Sequence, residues 1–240
     1  MKRHWLTKLS FLILAGAFLF FQFKLSTKKP PGDQPKTLPE HRTYDSAKAF
    51  VSFHRLKLKT AFEKRLITPD SLATAYTNLL LNQIIPHWYG TFWDFNGITA
   101  QPRTGNIACG YFVSTTLLHS GMKLNRYKMA QKAAMEEAEL LEPHDSLFIW
   151  YGHREGFLAS ISKKAKDGLY LIGLSFHVGY LYKSGSEIHF IHSNYIEREG
   201  VIKEDAYNSE ALHASSVFVL ADITNNPTLM RKWLDGVEIR

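Results

Sequence analysis

Leu174-Ser-Phe-His-Val-Gly-Tyr-Leu-Tyr-Lys-Ser-Gly-Ser-Glu-Ile-His-Phe-Ile-His-Ser-Asn194 carries strand-like apolar residues on both sides of a Ser-Gly-Ser cluster and reads as a β-hairpin. With Ser184-Gly185 as the tight turn, His177 and His192 become direct cross-strand partners on one face. Their Cβ atoms then lie about 5 Å apart. Ser175, Gly179 and Leu181 share the face of His177, so small neighbours leave room there for another group.

Further strands are expected at Leu147 to Tyr151, Phe157 to Ser162, Leu169 to Tyr182, Glu187 to Tyr195 and Ser216 to Ala221. Upstream the period is helical. Asp45 to Leu66 places Ala49, Phe50, Phe53, Leu56 and Phe62 near one face, and its lysines and arginines read as a solvated stripe. Thr68-Pro69 is a helix start leading into Leu72 to Ile85. Gly110 to Ser120 and Arg126 to Leu140 follow as helices. Helices first and an antiparallel sheet second give an α+β class. Between them, Ile84 to Thr99 is aromatic and punctuated by glycine, which suits either a loop lining a cleft or a core plug built on Trp88, Tyr89, Phe92, Trp93 and Phe95.

Charge is uneven. Residues 1 to 42 hold eight lysines and arginines against Asp33 and Glu40, so six of the seven net positive charges lie there. The nearly neutral remainder lacks the electrostatic footprint of a nucleic-acid binder. Residues 1 to 23 combine Lys2-Arg3 and Lys8 with an apolar run from Leu9 to Phe23, an export signal or an uncleaved signal anchor. Trp5 and Leu6 could extend the run, making residues 5 to 23 the membrane contact and the body exported, periplasmic or at the cell surface. Residues 24 to 42, with Pro30, Pro31, Pro35 and Pro39, read as an extended linker, and residues 43 to 240 as one domain, expected to act as a monomer.

Cys109 is the chain's single cysteine, which excludes an intrachain disulfide and a cysteine-based metal cluster. Placed before Gly110 at a helix start, its sulfur meets the helix dipole and free N–H groups. A thiol needs a base, and the base needs an orienting partner; the two facing histidines can supply both. A metal site on His177, His189 and His192 fails, because His189 points to the other face and two histidines are too few. No cofactor is implied.

Gly105-Asn-Ile-Ala-Cys-Gly-Tyr-Phe-Val113 resembles the G-x-D-C-S-G-F-V nucleophile motif of the NlpC-like cell-wall cysteine peptidases, a branch of the papain-like fold. Phe176 to Tyr182 is similar to that family's H-V-G-I-Y-L strand, and Phe190-Ile-His-Ser193 to its F-V-H-A strand, with Gly200-Val201 continuing the likeness. Pro86 to Gly90 and Pro143 to Ile149 resemble its P-Y-x-W-G-G and G-D-L-V-F-F segments. The resemblance implies a papain-like domain in which Cys109 is the nucleophile, His177 the general base and His192 the orienting residue. It implies an oxyanion site at the Cys109 N–H, helped by His87 or Tyr89, and a substrate rim of His87, Trp88, Tyr89 and Gly110. The substrate class is a peptide or cell-wall amide. Ala108 and Gly110 stand where the family has Asp and Ser, positions that shape its subsites. The alternative from another class is a catalytically silent, membrane-tethered domain that binds cell-wall peptides or a protein partner.

Overall fold

The computed structural model describes residues 43–240. The signal or anchor at 1 to 23 and the linker at 24 to 42 lie outside them. No helix among the described residues is long and apolar enough to cross a membrane.

Helix α1 (Tyr44–Glu63) starts at Thr43, whose hydroxyl accepts the Ser46 N–H at 3.1 Å. It turns Tyr44, Ala47 and Val51 inward and leaves Phe53 and Leu56 exposed. Helix α2 (Pro69–Leu79) begins as expected, with the Thr68 hydroxyl accepting the Ser71 N–H and Pro69 in the first turn. It runs on through a π-helical turn, Leu80–Ile84, and a 3-10 turn, Ile85–His87. Helix α3 (Cys109–His119) follows the aromatic loop.

The expected helix from Arg126 to Leu140 is broken into α4 (Arg126–Ala130) and α5 (Ala134–Leu141). Both pieces press on small residues: the Ala130 carbonyl on Gly110, and Ala134 on Gly173. A straight rod could not meet α3 and the sheet at once.

Strand β1 (Phe148–Tyr151) is where the pattern puts it. Phe157 to Ser162, expected as a strand, is instead the middle of helix α6 (Arg154–Lys164). Phe157, Leu158 and Ile161 recur at helical spacing, and all three are buried on the one face that α6 turns to the sheet. Leu169 to Tyr182 is likewise two strands, β2 (Gly168–Leu174) and β3 (Val178–Ser184), turning at Ser175-Phe176 with the Leu174 N–H donating to the His177 carbonyl at 2.8 Å. After β4 (Glu187–Asn194) come β5 (Gly200–Asp205), a short α7 (Glu210–His213), β6 (Val217–Asp222) and α8 (Pro227–Asp235). The six strands form one antiparallel sheet in the order β1-β6-β2-β3-β4-β5.

Strand alternation gives the sheet two buried faces. Leu169, Leu171, Val178, Tyr180, Ile191, Val219 and Ala221 face the larger helical layer, into which α1, α2, α3, α5 and α8 feed Val51, Tyr76, Phe112, Leu141 and Trp233. Tyr180 is pinned there, its hydroxyl 2.7 Å from Thr116 Oγ1 and donating to the Val113 carbonyl at 3.0 Å. The opposite residues, Tyr170, Ile172, Leu181, Phe190, Phe218 and Leu220, pack under α6 and α7, where Phe157 stacks on Phe218 at 4.4 Å. Each fully buried large aromatic removes roughly 150–250 Å² from water, about 4–6 kcal/mol of gross transfer energy. The two layers therefore cover the sheet from both sides.

Candidate active site

The nucleophile segment is clamped before α3 begins. Ile107 donates to the Phe92 carbonyl at 2.9 Å and Ala108 to the Gly97 carbonyl at 2.8 Å, while Ser193 of β4 donates to the Ile107 carbonyl at 2.8 Å. The fit requires glycine at 97, where a Cβ would stand 2.5 Å from the Ile107 nitrogen. Cys109 then opens α3 as its first residue, half-buried, and Ala108 at the cap position offers no side-chain acceptor. Burial, followed by the charge of Glu137, pushes the thiol up to about 11, against the N–H groups of Val178, Gly110 and Cys109 itself, which favour the thiolate.

The hairpin differs from its expected register by two residues. Ser184 pairs with Glu187 around a Gly185-Ser186 turn, so His192 lies opposite Gly179 and diagonal to His177. The two-residue shift keeps every side chain on its face. The histidines still meet: His177 Nε2 is 2.8 Å from His192 Nδ1, and His192 Nε2 is 3.0 Å from Glu204 Oε1. Gly179 makes that diagonal reach possible, since a Cβ there would come 2.8 Å from the His192 Cβ and 2.7 Å from Phe190. Phe190 stacks on His192 at 4.0 Å, and Tyr195 closes on His177 at 5.0 Å.

These contacts determine the tautomers. A carboxylate only accepts, so His192 donates through Nε2; neutral His192 then accepts at Nδ1, and His177 donates through Nε2. The lone pair of His177 is left on Nδ1, which has no hydrogen-bond partner among the described residues and is not among the polar atoms sealed from solvent. Burial, then the neighbouring His192, drives His177 well below its ordinary value. Burial also lowers His192, although Glu204 works in the opposite direction. Both rings are therefore neutral at pH 7.

Cys109 and the histidines converge on the start of β3 from opposite faces of the sheet. The sulfur meets the N–H of Val178, the residue after His177. Val178 and Tyr180 face α3, whereas His177 pairs with Leu174 and faces the α6 layer with Gly179 and His192. Among the described residues no hydrogen bond joins the Cys109 sulfur to either histidine.

His87, Trp88, Tyr89 and Gly110, expected beside a substrate, are instead buried. Trp88 is 0 % exposed and donates through Nε1 to the Tyr44 hydroxyl at 2.7 Å, which in turn lies 2.9 Å from His119 Nδ1; this part of the aromatic loop is a plug between α1 and α3. Its outer part differs, with Phe92 and Phe95 exposed, as is Phe176 at the β2–β3 turn beside His177. A Cβ on Gly110 would come 2.7 Å from the Ala130 carbonyl oxygen and 2.9 Å from Glu137 Oε1, so close packing explains the glycine.

Two acidic residues were not anticipated. Glu204 reaches His192 because β5 places it opposite Phe190, and its signal lay in the alternation of a strand that the pattern did not reveal. Glu137 sits at 2 % exposure in the stripe Ala134, Glu137, Ala138, Leu141; a carboxylate on an apolar stripe was its signal. Its Oε2 is buried without a partner, and burial pushes its carboxyl up to about 8. No group of three or more potential metal ligands occurs among the described residues. Comparison with protein-family models, with curated proteins and with solved structures finds no match for this chain.

Proposed function

We propose that the chain is a thiol hydrolase, a cysteine peptidase or amidase of papain-like arrangement, that cleaves amide bonds in cell-wall peptides through an acyl-enzyme on Cys109. The observation that carries this reading is the His177–His192–Glu204 chain, which holds a neutral imidazole in one tautomer with its basic Nδ1 unused. Cys109 supports it by opening a helix with its sulfur against the N–H of Val178, the residue that follows His177.

In the proposed cycle, thiol and Nδ1 close to hydrogen-bond distance around the start of β3, a closure absent from the resting geometry. His177 takes the thiol proton and the thiolate attacks the amide carbonyl. The C–N bond breaks as His177 returns the proton to the leaving amine, and a water deprotonated by His177 then releases the acyl group. The Cys109 N–H faces the oxyanion. His192 and Glu204 keep the imidazole in the useful tautomer. Export, with residues 5 to 23 as a membrane anchor, would put a monomeric domain beside the cell wall.

Purified peptidoglycan incubated with the protein and analysed by mass spectrometry tests the reading. Fragments from wild type and none from Cys109→Ala support it; none from either, with iodoacetamide reacting no faster than with an ordinary exposed thiol, refutes it. The resting geometry also favours a second reading, a catalytically silent binding domain, through the thiol pushed up to about 11 and its lack of a histidine partner. That reading expects peptidoglycan binding that Cys109→Ala leaves unchanged.

A further inference from the structure

We propose that Glu137 is a positioning residue that controls the ionisation of Cys109 across the glycine that follows it. Helix α5 lays the carboxyl over the first turn of α3, with Oε1 occupying the space that a side chain at 110 would fill. Oε2 is sealed and has no partner, and among the described residues Glu137 joins no ion pair.

Its neighbours among the described residues come from several elements. From α3 comes Cys109 itself, and from β3 Tyr180, whose own ionisation the carboxyl also opposes. From α4 comes the Ala130 carbonyl at Gly110, while Arg126 of that helix directs its Nη2 to the Ile98 and Thr99 carbonyls at 2.7 and 3.2 Å. His177 faces the other side of the sheet. Two acids this close, with no cation between them, resist being ionised together.

The carboxyl loses its proton first, near pH 8, and its charge then adds to burial, the larger cause, in holding the thiol protonated towards 11. A thiolate therefore forms most readily while Glu137 is neutral. The device keeps a lone thiol unreactive in alkaline surroundings, where an ordinary cysteine would become progressively more nucleophilic. This control concerns the acidity of the sulfur and stands whether or not the chain hydrolyses amides.

The test is the rate of iodoacetamide alkylation between pH 7 and 11 for wild type and Glu137→Gln, with Cys109→Ala as the blank; one cysteine in the chain makes the signal single-site. Removing the charge shifts the thiolate inflection to lower pH, and alkylation at pH 9 becomes about tenfold faster, the change expected for one unit of acidity. Superimposable profiles overturn the proposal. A second measurement needs no variant: the carboxyl carbon of Glu137, followed by NMR in the wild-type protein, titrates near 8, and a titration below 6 overturns the proposal as well.

Discussion

Replacing Glu137 with glutamine should change the pH dependence of folding strongly. In the native protein burial raises the carboxyl from 4.5 to about 8. Unfolded chains release that proton near 4.5 while the native state retains it, so between these values the native state binds more protons and stability falls as pH rises. The interval of 3.5 units at about 1.4 kcal/mol per unit amounts to about 5 kcal/mol. That is comparable with the whole stability of a marginal domain, roughly 5–15 kcal/mol. The glutamine variant has no proton to lose. Urea denaturation of both proteins at pH 5, 6, 7 and 8 should therefore give a stability difference that moves in favour of the variant by about 1.4 kcal/mol per unit, then levels above 8. The buried histidines act oppositely, since their lowered native values withdraw stability as pH falls below 6.5, but they contribute equally to both proteins and cancel in the difference. A difference that does not vary with pH would show that the carboxyl is not held neutral by its site, and the argument built on its burial would fail.

Gly179→Ala should destabilise the protein by about 1–3 kcal/mol, because the new Cβ collides with His192 and Phe190; thermal denaturation checks the first effect and the imidazole NMR signals the loss of the His177–His192 bond. Glu204→Gln leaves a group that can donate towards His192 and so removes the bias on the tautomer, which should lower kcat of amide cleavage by up to about 10⁴-fold with little change in KM; equal kcat would remove Glu204 from the relay. His192→Ala should likewise lower kcat more than it raises KM, and the reverse pattern would assign the residue to substrate binding. The acid limb of kcat/KM should lie below the ordinary imidazole value of 6.5, as burial holds His177 neutral, and an inflection above 6.5 would remove His177 as the base.

The capped helices were legible because their signals are local. Thr68 with Pro69 states the start of α2 within two residues, and Cys109 followed by Gly110 does nearly as much for α3. Helix α6 was misread because Phe157 to Ser162 is a short window in which an apolar pair suits either period; the deciding contact, Phe157 on Phe218, comes from a strand 61 positions away. The break between α4 and α5 is also tertiary, produced by what Gly110 and Gly173 admit. At the site, strand parity alone was enough to bring His177 and His192 together. Placing Cys109 against them required knowing which face α3 covers, and the alternation of β3 leaves that choice open, since Val178 and His177 are both plausible inward residues. Glu204 required β5, whose run of Lys203, Glu204 and Asp205 hides its strand character.

Asp167 has a reach beyond its own loop. One carboxylate oxygen accepts the Gly185 N–H at 2.9 Å and the other binds Lys183 at 2.7 Å, so a residue outside the β3–β4 hairpin grips the end of β3 and the first residue of its turn. Apolar patterning cannot distinguish two registers that differ by two residues, because both present the same side chains to the same face. The pairing that sets His192 opposite Gly179 is thus encoded partly at position 167. A graft of residues 174 to 194 into another scaffold would transplant both histidines and the intervening turn while leaving behind the fastener that sets their spacing.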